Sequence, residues 1–143
     1  MLLRQIKPCS GCPYFTGIDL QFKALNGVMM NFMDIDLVGE IGKRIEFIAE
    51  IKHYNHAANY NYFLLPAHEY VLLKKVAKSL KCDLYFIVFN GHKFFISEID
   101  RFEEKRKSTI YKGKKCVKFP KSQFRIFNNS HELDLFFFDQ YRP

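Results

Sequence analysis

From Val28 the sequence favours a β-strand, and over residues 33–37 hydrophobic and polar residues alternate with the spacing of a half-buried strand. Successive side chains of a strand point to opposite faces, so Asp34 and Asp36 share one face. The opposite face carries the apolar side chains Met33, Ile35 and Leu37. The pattern therefore predicts a strand that presents two carboxylates on one side of a sheet.

A second alternating segment, 45–52, follows a reversal that we predict over 39–44, where two glycines fall. One face of this second strand is apolar and consists of Ile45, Phe47, Ala49 and Ile51. The other face is mostly charged and consists of Glu46, Ile48, Glu50 and Lys52. We therefore expect an antiparallel hairpin that carries carboxylates and an ammonium group on one face.

The chain then predicts a helix over 66–80, with Pro66 in its first turn and an apolar stripe along one side. The nearly continuous apolar run at 83–89 is typical of a strand covered on both faces. Asn90-Gly91 is a strong signal for a two-residue type I′ turn, so residues 93–99 should pair back antiparallel.

Two further strands are predicted at 116–119 and 123–127. Residues 129–132, Asn-Ser-His-Glu, resemble a capping box that opens a terminal helix across 133–138. This order of elements predicts an α/β sandwich with a mixed central sheet flanked by helices.

A length of 143 residues fits one domain. We expect an irregular lead-in over 1–27 with a short helix at 18–25, a core over 28–99 and a C-terminal extension over 100–143. No run of about 18 apolar residues could span a bilayer, and the first residues lack the pattern of a secretory signal. These features predict a soluble protein in the cytoplasm.

The net charge of +7 favours a polyanionic partner, because lysine and arginine bind phosphates and release counterions. Nucleic acid is the first candidate, although many basic proteins bind nothing in particular. A basic surface combined with acidic residues inside a sheet suits a phosphodiesterase, which must attract a phosphate backbone and also hold a cation.

The cysteines give a weaker signal. Cys9 and Cys12 have the spacing of half a zinc knuckle, but Cys82 and Cys116 stand alone and supply no second pair. A turn supported by neighbouring proline and glycine, with Cys82 as a small core residue, is the favoured interpretation. A zinc module built on Cys9 and Cys12 is the alternative.

Charged residues are depleted in strands, and half-buried charges need partners or a metal. Asp36 followed by Leu37-Val38, then Glu50-Ile51-Lys52, then a helix and an apolar strand, resembles the PD-(D/E)xK nuclease superfamily. This superfamily includes restriction endonucleases and archaeal Holliday-junction resolvases, and the resemblance spans about residues 28–89. The chain departs from the pattern because no proline precedes Asp34 or Asp36.

The resemblance implies a nuclease that cleaves DNA, possesses a restriction endonuclease-like fold and uses Mg²⁺ or Mn²⁺. Asp36, Glu50 and the backbone carbonyl of Ile51 would bind the cation, with Asp34 as the alternative carboxylate. Lys52 would orient the attacking water and stabilise the transition state. Small members of the superfamily often form homodimers, for which the Phe136-Phe137-Phe138 segment is a candidate surface.

Two alternatives accompany this prediction. The charged face of the hairpin can be an ordinary solvated surface with ion pairs. The chain can also be a noncatalytic nucleic-acid-binding or assembly protein with a nuclease-like fold. For backbone contacts we nominate His53, which directly follows the motif, and the lysines of the 111–115 turn, namely Lys112, Lys114 and Lys115, although that turn can equally be a solvated one.

Overall fold

The computed structural model describes residues 2–5, 35–55 and 59–141, the first of these by backbone only. Within these residues, two sheets and two helices build an α/β fold, in which strands predominate. The strands are β1 (Leu2–Gln5), β2 (Leu37–Ile41), β3 (Arg44–His53), β4 (Tyr62–Pro66), β5 (Asp83–Phe89), β6 (Phe94–Ile99), β7 (Ser108–Tyr111), β8 (Lys114–Pro120) and β9 (Arg125–Phe127). The helices are α1 (Ala67–Leu80) and α2 (Ser130–Gln140), and a 3₁₀ turn covers Lys121–Gln123.

The larger sheet has six strands in the order β1-β2-β3-β5-β6-β9. Only the pairing of β3 with β5 is parallel among these strands, and α1 lies in the connection between them. The smaller sheet is antiparallel, in the order β4-β8-β7. The prediction of an α/β fold with a mixed sheet is confirmed.

The β2–β3 hairpin differs from the prediction in its boundaries. The strand begins at Leu37 and continues to Ile41, through most of the predicted reversal, and the turn needs only Gly42, whose φ is +62°, and Lys43. A bulge also breaks the alternation, because Gly39 pairs with Phe47 while Glu40 pairs with Ile45. The extra residue moves Ile45 to the face opposite Phe47, so its predicted face was wrong.

Gly39 remains in the strand because Phe47 lies directly against its backbone. A Cβ atom at position 39 would lie 2.1 Å from the Phe47 ring. The glycine is therefore required by close packing across the hairpin and not by a turn.

The helix predicted over 66–80 is confirmed as α1. Pro66, which ends β4, is its N-cap residue, and the helix ends at Lys81, whose φ of 54° is left-handed. The strand predicted at 83–89 is confirmed with the same bounds.

The turn after β5 is not the predicted type I′ turn. Phe89 pairs with Phe94, so the loop has four residues, and of Asn90 and Gly91 only the glycine has a positive φ. The Asn90 side-chain oxygen accepts hydrogen bonds from the backbone N–H groups of His92 (2.9 Å) and Lys93 (2.7 Å). These side-chain hydrogen bonds replace the predicted two-residue turn. The predicted antiparallel strand after the turn is confirmed as β6.

Two apolar layers cover the six-stranded sheet. One lies between the sheet, α1 and the smaller sheet, and includes Ile48, Leu73, Phe86 and Phe119. The other lies under α2 and includes Phe47, Ile87, Leu133 and Phe137. Residues after 100 therefore supply part of both layers.

The capping box before α2 is confirmed. Asn129 is the N-cap residue, and its side-chain oxygen accepts a hydrogen bond from the Glu132 backbone N–H at 2.9 Å. The Glu132 carboxylate accepts one in return from the backbone N–H of Asn128 at 2.7 Å. The two remaining predicted strands correspond to β8 and β9, the latter shortened by the 3₁₀ turn.

Several predictions lie outside the described residues. These concern the helix at 18–25, the first part of the strand at 28–38, Asp34, and the pair Cys9 and Cys12. Among the described residues, no helix has both the length and the apolar character needed to cross a membrane. Cys82 and Cys116 are buried free thiols, as expected of core residues.

Candidate functional site

The candidate site lies where β2 begins and β3 approaches its end. Leu37 pairs with Ala49 in the antiparallel ladder, so Asp36, one residue before β2, falls opposite Glu50. Both side chains project from the sheet face that carries Ile48 and packs toward α1. The observed register thus favours Asp36 as the partner of Glu50, as the sequence suggested.

The Asp36 side chain bonds the backbone of β3 just before β2 begins. The Ile51 backbone N–H donates a hydrogen bond to the Asp36 Oδ2 atom at 2.9 Å. Because the N–H and C=O of one strand residue point to the same side, the Ile51 carbonyl faces this edge of β3 as well. The edge therefore combines a carboxylate and a backbone carbonyl with Glu50 alongside.

Glu50 is a buried carboxylate, with 7% of its surface exposed. Burial raises its pKa to about 8, and the negative charge of Asp36 acts in the same direction, while Lys52 opposes both. The Lys52 Nζ atom lies 3.1 Å from the Glu50 Oε1 atom. Burial and Asp36 therefore oppose ionisation of Glu50, and a cation between the two side chains would favour its ionised form.

Glu69, in the first turn of α1, completes the group. Its Oε2 atom lies 3.1 Å from the Lys52 Nζ atom, so the ammonium group is held between Glu50 and Glu69. Burial alone would lower the pKa of Lys52, but the two carboxylates outweigh it and the pKa is raised. Glu69 was not among the site residues predicted from the sequence. The available signal was an acidic residue in the first turn of the helix that follows Glu-x-Lys.

The oxygen atoms at this edge are of the kind that Mg²⁺ prefers. Mg²⁺ is usually bound through one or two carboxylates, with water and substrate phosphates completing its octahedron. Asp36, Glu50 and the Ile51 carbonyl fit that description. Within 35–55 and 59–141, no group of three or more His, Cys, Asp or Glu side chains is arranged to hold a metal ion, so any cation would depend on these two carboxylates.

No protein-family model, curated protein or solved structure matches this chain. The resemblance to PD-(D/E)xK nucleases consequently stays a prediction from the motif residues. The physical arrangement of Asp36, Glu50 and Lys52 carries the functional argument.

The residues predicted to contact nucleic acid lie on exposed surfaces. Lys112 is in the β7–β8 turn, and Lys114 and Lys115 begin β8. The turn residues Lys112 and Gly113 have φ values of 50° and 78°, so this two-residue loop has the positive φ angles that the Asn90 turn lacks. His53 ends β3, is exposed, and stacks on Phe89 with ring centroids 5.5 Å apart.

Proposed function

We propose that this protein is a metal-dependent nuclease that hydrolyses phosphodiester bonds in DNA. The observation that carries the proposal is the position of Asp36 opposite the buried Glu50, with Lys52 in contact with Glu50. A solvated strand face would leave such charges exposed, whereas Glu50 is buried beside a second carboxylate. Burying a charge in this way costs free energy, which a binding function would justify.

Each residue has a role that its position supports. Asp36, Glu50 and the Ile51 carbonyl would hold Mg²⁺ or Mn²⁺, which when bound supplies charge neutralisation at the phosphate and acidifies water. The Lys52 ammonium group, held by Glu50 and Glu69, would orient the attacking water and stabilise negative charge on the phosphate oxygens. Glu69 would keep Lys52 charged and directed toward the site.

The element order also supports a restriction endonuclease-like fold. An antiparallel pair, β2 and β3, is followed by α1 and then by β5, which lies parallel to β3. Glu50 and Lys52 thus lie on a central strand, flanked by neighbours on both sides. β4 intervenes before α1 and belongs to the smaller sheet, which is a feature of this chain.

A noncatalytic nucleic-acid-binding protein is the second candidate. The observation in its favour is the direct pairing of Glu50 with Lys52, which occupies a carboxylate oxygen that a cation would need. A homodimer also remains a proposal. Phe137 is buried in the core, while Leu135 and Phe138 remain 49% and 44% exposed on α2 and are available for association.

Cleavage assays separate the two functions. Branched, single-stranded and duplex DNA would be incubated with the protein and Mg²⁺ or Mn²⁺, alongside Glu50→Ala, Lys52→Ala and the exposed-site control Glu104→Ala. The nuclease proposal expects metal-dependent products that both site variants lose and the control retains. Binding without cutting, or cutting unaffected by both site substitutions, would refute it.

A further inference from the structure

A groove runs across the surface next to the candidate site and consists of two adjoining cavities. One has a volume of about 310 Å³ and is lined mainly by tyrosines. The other has a volume of about 520 Å³, and four of its nine lining residues are basic. Asn61 and Tyr62 line both cavities, so the two form one continuous surface.

The first cavity presents aromatic rings to solvent. Tyr60, Tyr62 and Tyr111 are 50%, 42% and 53% exposed, which is high for large aromatic side chains. Tyr54 forms the inner wall: its hydroxyl donates a hydrogen bond to the Leu64 carbonyl at 3.1 Å, and its ring lies 5.8 Å from the Tyr60 ring. A fixed ring beside exposed rings is a surface on which planar groups can stack.

The second cavity presents positive charge. Lys105 and Lys107 are exposed at its rim, and Lys118 lies with its Nζ atom 4.2 Å from the centre of the Tyr62 ring. Arg106 has a structural role, because it binds the Glu103 carboxylate through two hydrogen bonds of 2.9 and 3.1 Å. The lysines therefore supply the charge for a ligand at this end of the groove.

The tyrosine end of the groove lies close to the carboxylate site. Tyr54 follows Lys52 by two residues, and its backbone N–H still pairs with the Phe89 carbonyl at 2.9 Å, so the two side chains project from the same face of the sheet. A strand lying in the groove would therefore pass from the basic cavity, over the tyrosines, toward Lys52 and Glu50.

We propose that this groove binds an unpaired segment of nucleic acid, with bases stacked on the tyrosines and phosphates at the lysines. Exposed aromatic rings beside basic side chains suit a single strand, whose bases can stack on the rings while its phosphates contact the lysines. Bases within a duplex are stacked on each other and do not offer their faces. The inference rests on the proposed function in one respect, since it names the substrate class of that site as nucleic acid with a single-stranded portion.

Binding of fluorescent oligonucleotides tests the groove without any cleavage. Fluorescence anisotropy in EDTA would compare a single-stranded DNA, the same sequence as RNA, and its DNA duplex. The control variant is Phe138→Ala, which also removes an exposed ring but lies on α2, across the sheet. We expect either single strand to bind more tightly than duplex, and Tyr60→Ala or Tyr111→Ala to weaken it about 5- to 150-fold per lost stacking contact. Phe138→Ala should bind like the wild type.

The salt dependence of oligonucleotide binding tests the basic cavity separately. Lys105→Ala and Lys107→Ala should each reduce the dependence of log Kd on log salt concentration, by about 0.7 for each lost phosphate contact. Equal binding of duplex and single strand, or tyrosine and lysine variants that bind like the wild type, would overturn the proposal.

Failure of the groove and failure of the nuclease are distinguishable. Oligonucleotide binding is measured in EDTA and cutting is measured with Mg²⁺ or Mn²⁺, so the two assays report on the groove and on the carboxylate site separately. Tyrosine-dependent binding without metal-dependent cutting would support the groove and refute the nuclease. If cutting needs Glu50 but Tyr60→Ala and Tyr111→Ala bind oligonucleotides normally, the groove proposal alone is refuted.

Discussion

The substitution Glu50→Gln should make the protein more stable at alkaline pH while it abolishes the proposed activity. Burial of Glu50 and the negative charge of Asp36 together raise the Glu50 pKa from 4.5 to about 8. The folded state therefore favours protonated Glu50, whereas in the unfolded chain Glu50 ionises near its ordinary pKa of 4.5. Stability from this group is fully present below pH 4.5 and is lost as the pH rises through about 8. Glutamine has nearly the same shape and never ionises.

The magnitude follows from that pKa difference. The rise from 4.5 to about 8 corresponds to about 5 kcal/mol, because each pKa unit is worth about 1.4 kcal/mol. Part of this loss of stability occurs below pH 5. Between about pH 5 and pH 9, the unfolding free energy of the wild type should therefore fall by about 4 kcal/mol relative to that of Glu50→Gln.

Urea unfolding followed by circular dichroism measures this difference when it is repeated across the pH range in EDTA. Histidines and other groups titrate in both proteins, so the quantity to compare is the difference between the two curves. Glu104→Gln, which changes an exposed carboxylate in the same way, is the control and should follow the wild type. Parallel curves for wild type and Glu50→Gln would refute the claim that the folded protein disfavours the ionised form of Glu50.

Two further substitutions test the framework that positions the site. Gly39→Ala should destabilise the fold by about 1 to 3 kcal/mol in urea unfolding, because the new Cβ would lie 2.1 Å from the Phe47 ring; an unchanged midpoint would contradict this close packing. Asn129→Ala should cost about 1 kcal/mol, because α2 loses the side-chain bond to the Glu132 backbone N–H. Asn129→Ser, which restores an acceptor, should recover most of that loss, and equal loss in both variants would argue against capping.

The elements with strong local signals were predictable from the sequence. α1 has an apolar stripe and a preceding proline, β5 is a continuous apolar run, and α2 begins at a capping box. Each signal depends on neighbouring residues, so no knowledge of distant partners is needed.

Elements that depend on distant partners were missed. β4, at Tyr62–Pro66, was not predicted, because its pairing partner β8 is fifty residues or more away in the chain. The bulge near Ile45 depends on how β2 meets β3, and residue spacing alone does not reveal it. The prediction of a type I′ turn at Asn90 was wrong. The Asn90 side chain instead accepts hydrogen bonds from the N–H groups that follow it, which the Asn-Gly pair also permits.

The candidate site was likewise predictable only where the signal was local. Alternation along β3 placed Glu50 and Lys52 on one face, and the register added Asp36 opposite Glu50. Glu69 was not assigned because its contact with Lys52 requires α1 to cross the sheet at that position. Helix packing of this kind is a tertiary property.

Binding of Mn²⁺ tests the proposed cation site most directly, since the bound ion is seen by electron paramagnetic resonance without any substrate. Wild-type protein should bind one Mn²⁺ per chain at this edge, and Asp36→Asn and Glu50→Gln should each weaken that binding at least tenfold. Glu104→Gln should bind as the wild type does. A folded wild-type protein that binds no Mn²⁺, or binding that both site substitutions leave unchanged, would contradict a cation held between Asp36 and Glu50.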